Sequence, residues 1–274
     1  MQCLSPVIVK AKELYIDGFN TQKFPCGRCP ACIKKRASHW SFRLRQELKR
    51  SISAMFLTLT YADETVPYTE DGKQTLRYKD HQDFMKRLRK NVSLTHPSNP
   101  PLKYYAVGEY GEETQRPHFH SILFNVPHGV RHTEEVMNEI WQHGKTDIRK
   151  VEAGSIAYVC GYLNKELKLS KGDTRKPAKS FMSKGLGENY LTENIQHYYK
   201  KKLHPYLKIE DGLQISMPRY YKEKLYNFEE KAWVKHYAKE HIEENMLDEI
   251  QEAEVARVSF QTWSEKNIFR RTKL

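Results

Sequence analysis

The sequence predicts an α+β protein: an antiparallel sheet backed by helices, with an N-terminal cysteine-rich segment and a C-terminal helical extension. Two observations carry this. Between residues 55 and 151 the hydrophobic pattern switches between period two and period 3.6 in the order β-α-β-β-α-β, a split β-α-β arrangement of the ferredoxin or RRM kind. Four of the five cysteines lie within the first 32 residues, and a charged helical pattern fills 228–263.

The first 50 residues read as an extended, cysteine-bearing segment followed by a helix, in which Ile33, Ala37, Trp40, Leu44 and Leu48 recur at helical spacing between Arg and Lys. "MFLTLTY" (55–61) alternates as a half-buried strand does. Pro67 and Asp71-Gly72 mark 62–79 as a loop. Residues 80–91 read as a basic amphipathic helix with Asp80 as N-cap and Phe84, Met85 and Leu88 facing inward, ended by "HPSNPP". "KYYAVGEYG" (103–111) and "RPHFHSILF" (116–124) are strands joined by a short polar turn. A helix over 133–144, a strand over 145–151 and a helix over 155–167 complete the series, and beyond about residue 170 the chain reads as basic loop. The expected division is 1–52, 53–200 and 201–274.

The formal net charge is +12, unevenly spread. Residues 229–254 hold nine acids against three lysines, so the remainder carries +18. A basic body of that size suits phosphate backbones. No run approaches the roughly 20 apolar residues of a membrane span, and the N-terminus lacks the basic-then-apolar signal pattern, so a membrane partner is not expected.

His118 and His120 stand on alternate positions of one strand, so both imidazoles point to one face. If Tyr110 opposes Pro117 across the turn, Glu109 lies opposite His118 on that same face. These three form a candidate site with open positions for zinc, manganese or magnesium, and Glu112 is the reserve oxygen donor. A Lewis acid so held can grip a phosphate oxygen. The other histidines, among them His39, His81, His96, His128, His132 and His143, read as surface or capping residues.

In "SIAYVCGYLNKEL" (155–167), Ile156, Val159, Cys160, Leu163 and Leu167 make one apolar stripe, while Tyr158, Tyr162 and Lys165 make a second on the opposite side. Phenols off the core side can act as nucleophiles toward a phosphodiester already activated by a metal, and Lys165 can balance developing charge. Cys26, Cys29 and Cys32 form C-x-x-C-x-x-C; Cys3, or His39 in its place, completes a tetrahedral set for structural Zn2+, with an iron–sulfur cluster as the other fit.

"FLTLTY", "RPHFHSILF" and "YVCGYLNK", in this order, resemble the three motifs of HUH replication-initiation endonucleases. "CGRCPAC", "TLTYADETVP", "FMKRLRK", "YGEETQRPHFH" and "SKGLGENYL" together resemble the replication initiator of microviruses of the gokushovirus type, over roughly residues 1–200. The resemblance implies an HUH endonuclease core within 53–200. It implies that His118, His120 and Glu109 hold Mg2+ or Mn2+ and that Tyr158 and Tyr162 are paired nucleophiles. One tyrosine would attack the scissile phosphate, leaving a 5′-phosphotyrosyl link and a free 3′-OH; the other would permit the strand transfer that closes a circle. The implied partners are single-stranded DNA of the viral origin and the host helicase and polymerase, in the host bacterial cytoplasm. Gly161 stands where two-tyrosine initiators commonly carry a lysine (YVAKY), which leaves Lys165 on the tyrosine face. Beside such a site Lys86, Arg87, Arg89, Lys90 and Arg116 are candidates for holding DNA phosphates. The rival readings are a single-tyrosine transferase of transposase or relaxase kind and a non-catalytic single-strand-binding module.

Overall fold

The structure, a computed structural model, describes residues 3–10, 21–127, 133–161, 172–209 and 214–244. In chain order its elements are β1 (Val7–Lys10), β2 (Thr21–Phe24), α1 (Pro30–Arg50), β3 (Ala54–Tyr61), α2 (Tyr78–Thr95), β4 (Lys103–Tyr110) and β5 (Pro117–Phe124). There follow α3 (Glu134–Trp141), β6 (Gly144–Lys150), α4 (Ala153–Gly161), β7 (Lys179–Met182), α5 (Glu193–Lys202), β8 (Tyr206–Lys208), β9 (Gln214–Ser216), α6 (Arg219–Leu225) and α7 (Phe228–Glu244). They fall into two compact units, one of residues 40–190 and one of the segments up to 39 and from 191.

The unit of residues 40–190 is built on a five-stranded antiparallel sheet in the order β6-β3-β5-β4-β7. Its two faces follow from alternation. Leu57, Leu59 and Tyr61 of β3, with Phe119 and Leu123 of β5, point to one face, where Phe84, Met85 and Leu88 of α2 and Met137, Ile140 and Trp141 of α3 close a core. Each such side chain contributes about 1.5–3 kcal/mol by leaving water. The residues between them, Phe56, Thr58, His118 and His120, therefore point to the other face.

Packing is close where the sequence carries glycine. A Cβ at Gly108 would stand 3.0 Å from the rings of Phe119 and Tyr78. At Gly144, where φ is +144°, it would meet Thr60 O at 2.3 Å. Only glycine lets β6 start against β3.

Three expectations are corrected. Asp80 is not the N-cap of α2, a place taken by Arg77. It turns inward instead, accepting hydrogen bonds from Tyr61 Oη (2.8 Å) and Arg77 Nε (2.8 Å). His81 is not a surface residue: it is fully buried, its Nε2 2.9 Å from Ser121 Oγ and its ring among Tyr104, Phe119 and Phe181. The chain beyond 170 is not all loop, because β7 pairs with β4. Its order comes from covering an open edge and from packing Phe181 edge-on against Tyr78, contributions that a short Lys-flanked run does not announce.

In the other unit β1 pairs with β2 and β8 with β9, both antiparallel. The C-terminal helical pattern is realised as α7, and residues 245–263 of it lie outside the described residues. Among the described residues no helix is long and apolar enough to cross a membrane.

Candidate active site

β4 and β5 pair with Tyr110 opposite Pro117 and Glu109 opposite His118, the register expected from the turn. Glu109 and His120 are each 8% exposed, and His118 is half-buried. Both imidazoles converge on one carboxylate oxygen: Glu109 Oε1 lies 2.8 Å from His118 Nε2 and 3.0 Å from His120 Nε2. Burial alone would raise the Glu109 carboxyl, but the contacts from His118 and His120 hold it below the usual carboxylate range. Glu112 is exposed in the turn.

The far side of each ring is also held. His118 Nδ1 donates to the Arg116 carbonyl (3.0 Å), which leaves Nε2 as the ligating nitrogen of a neutral ring. His120 Nδ1 hydrogen-bonds Thr58 Oγ1 (3.0 Å), and its ring stacks on Phe56 at 5.4 Å. Thr58 pairs directly with His120 across β3 and β5, so its role belongs to the alternation of "TLTY" once strand order is known. Arg116 spends its guanidinium on the protein, donating to the Tyr61 carbonyl (2.6 and 3.1 Å) and to Asp63 (2.7 Å). Its work here is to pin the backbone that holds His118.

The donor set fits a divalent ion. Two ligands about 2.1 Å from a six-coordinate cation, at right angles, stand about 3.0 Å apart. The separations of Glu109 from the two imidazoles match that spacing, and three protein donors leave positions for substrate and water.

α4 lies against β5. Its side chains Ile156, Val159 and Cys160 are buried, as the apolar stripe requires, yet they are not part of the core beneath α2 and α3. Burial pushes the Cys160 thiol up to about 12, with Arg45 of α1 near enough to oppose the shift. Trp40 of α1 packs on Tyr105, which shares the parity of Glu109. These relations put α4 on the histidine face. Tyr158 belongs to α4. Its side chain, and all of Tyr162 and Lys165, lie outside the described residues.

The basic residues of α2 sit on the opposite face of the sheet from the histidines. Arg87 donates to the carbonyls of Ile140 (2.7 Å) and Trp141 (3.0 Å), tying α2 to the end of α3. Arg89 rests over the Tyr104 ring, Lys86 pairs with Asp83 at 3.4 Å, and Lys90 is exposed. Helical amphipathicity showed that these residues point outward, but not on which side of the sheet.

The four N-terminal thiols also meet. The Sγ atoms of Cys3, Cys26, Cys29 and Cys32 all lie within 4.8 Å of one another. Four sulfurs about 2.3 Å from a tetrahedral zinc stand about 3.8 Å apart, and Cys3 and Cys29 are separated by 3.8 Å. Such spacing has room for one ion rather than for an iron–sulfur cluster. Backbone N–H groups of Leu4, Cys26 and Cys29 point at these sulfurs, as they do around bound thiolates. Burial would raise the Cys26 thiol, but the N–H groups of Arg28 and Cys29 bring it down to about 6, while burial among the other thiols pushes Cys32 up to about 12. A shared cation relieves that conflict. His39 is engaged elsewhere, with Nε2 2.9 Å from Ser216 Oγ.

A sheet carrying a Glu-His-His set, with a helix on the same face, is the setting in which comparison with known proteins becomes informative. Residues 54–167, from the start of β3 past the end of α4, match the family model of the replication-associated protein ORF2. The chain is 28% identical over 279 residues to replication-associated protein VP4 of Bdellovibrio phage phiMH2K, covering 92% of this chain and 85% of that protein. It is 28% identical over 236 residues to replication-associated protein ORF2 of Spiroplasma virus 4, covering 80% of this chain and 72% of that protein. It is 27% identical over 237 residues to replication-associated protein ORF4 of Chlamydia phage 1, covering 77% of this chain but only 56% of that protein. The resemblance to microvirus-type replication proteins thus extends along most of the chain.

Proposed function

We propose that this protein initiates replication of a small single-stranded DNA phage as a metal-dependent endonuclease and strand-transferase. In this reading residues 53–200 are an HUH core of split β-α-β type, and the substrate is single-stranded DNA of the viral origin. The observation that carries the proposal is the convergence of His118 and His120 on Glu109, on the sheet face that also receives α4. The strand order β6-β3-β5-β4 and the similarity to phage replication-associated proteins support it.

Glu109, His118 and His120 would hold Mg2+ or Mn2+, whose chemistry here is to polarise the non-bridging oxygens of the scissile phosphate. Tyr158 and Tyr162 stand one helical turn apart in sequence, so their side chains project side by side from a continuous helix. The phenol oxygen of one attacks phosphorus, forming the O–P bond of a phosphotyrosine. The P–O bond to the 3′ oxygen breaks, the phenolic proton leaves to solvent, and the 3′ oxygen takes up a proton. No oxidation occurs. The ester is conserved, so the second tyrosine or a returning 3′-OH can reverse the exchange and join strands. Lys165 supplies positive charge as the phosphate passes through its five-coordinate stage. The free 3′-OH is then extended by the host polymerase behind a host helicase. The site works in the host cytoplasm, where the four N-terminal thiols stay reduced and bind structural Zn2+.

The test is incubation with an origin-bearing single-stranded oligonucleotide and Mn2+, followed by a denaturing gel. A covalent protein–DNA band is expected, absent with EDTA and absent in the Tyr158→Phe/Tyr162→Phe double variant. A band that persists in the double variant would defeat the tyrosine assignment.

A further inference from the structure

The segment from residue 191 onward carries aromatic rings that its own fold does not bury. Trp233 on α7 is 55% exposed and Tyr198 on α5 is 41% exposed, where large rings ordinarily find cover. They are joined in one line. Trp233 stacks on Tyr237 (centroids 5.7 Å, planes 16° apart), Tyr237 meets His204 edge-on (5.8 Å), and His204 lies parallel to Tyr198 (6.5 Å, 15°). Four rings thus run from α7 across the loop after α5 to α5 itself.

The charge beside this line is positive. Lys201 and Lys202 stand three and four positions after Tyr198, hence on the same side of α5, and both are exposed. Among the described residues no ion pair engages either. The carboxylate closest in the fold, Glu230, is already answered by Lys200 at 2.6 Å, which holds its carboxyl below the usual range. Exposed π-faces beside unanswered lysines match the chemistry of a nucleic-acid strand, whose bases stack and whose phosphates pair.

We infer that Trp233, Tyr237, His204 and Tyr198, with Lys201 and Lys202, form a stacking platform for single-stranded DNA, apart from the histidine site and within the C-terminal segment. The inference takes its ligand from the proposed function. It assigns to α7, read from sequence as an acidic helix, a face that holds substrate without reading its sequence.

The experiment is fluorescence anisotropy of the full-length chain with a labelled thymidine oligonucleotide of about 16 nucleotides, in EDTA so that no cleavage intervenes. Trp233→Ala and Tyr198→Ala should each weaken binding about fivefold or more, the effect of losing one stacked base. Trp233→Phe, which keeps a ring, should restore most of it. Lys201→Gln/Lys202→Gln should lower the slope of log K against log salt by about 1.4, or about 0.7 per lost phosphate contact; a purely structural role would not move that slope. Affinity within about twofold of wild type in both ring-to-alanine variants would overturn the platform. The covalent-band assay on the same preparations separates the two readings. A wild-type band with unchanged ring-variant affinities removes the platform alone, and weakened ring variants with no wild-type band remove the nuclease alone.

Discussion

His118 and His120 are held by unlike partners, a backbone carbonyl and the Thr58 hydroxyl. Both act from behind the rings, so they set orientation without competing for the cation. Thr58→Val removes the His120 anchor at nearly constant volume. Mn2+ affinity measured by calorimetry should fall about 10- to 100-fold, and an unchanged affinity would show that packing on Phe56 suffices. His81 supplies a second test. Burial among rings pushes its imidazole down to about 3, so it is neutral in the folded protein and cationic once unfolded below about pH 6.5. A folded value below the unfolded one makes its stabilisation complete above pH 6.5 and progressively lost as pH falls toward 3. The urea midpoint should therefore decline with acidification over that range, and His81→Leu should flatten the decline. Equal slopes in the two proteins would place the acid sensitivity elsewhere.

Strands and helices differ in how much of their job their own residues disclose. "MFLTLTY" and "RPHFHSILF" alternate so regularly that the two sheet faces, and the opposition of Glu109 to His118, could be read before any strand was placed. The apolar stripe Ile156, Val159, Cys160 was equally plain. β7 was not, because its strand conformation depends on an edge donated by β4. The face chosen by α2 was hidden for a similar reason: amphipathicity fixes which side of a helix is buried, but only the chain connections fix which side of the sheet it covers. Arg87 and Arg116, basic in sequence, turn out to serve α3 and β3. At the N-terminus the C-x-x-C-x-x-C spacing was legible, whereas Cys3 as fourth donor depended on its segment being brought back to Cys26 and Cys29. If one zinc ion joins these thiols, the metal should bind in a one-to-one ratio by atomic emission. Its removal by a strong chelator should expose the thiols to a colorimetric reagent and lower the melting temperature. Thiols already reactive in the untreated protein would argue against the site.

The net charge of +12 coexists with a C-terminal segment rich in acids, so attraction to DNA is a property of regions rather than of the whole sum. Salt should weaken binding of any single strand, while the dependence on metal should belong to cleavage alone. All of this turns on one relation: a cation at Glu109, His118 and His120 presenting a phosphate to a phenol of the α4 segment. The direct measurement is to digest the covalent protein–DNA product formed with Mn2+ and identify the nucleotide-bearing peptide by mass spectrometry. The modified residue should be Tyr158 or Tyr162, with no product from His118→Ala. A nucleotide carried on any other side chain, or an undiminished yield from His118→Ala, would contradict it.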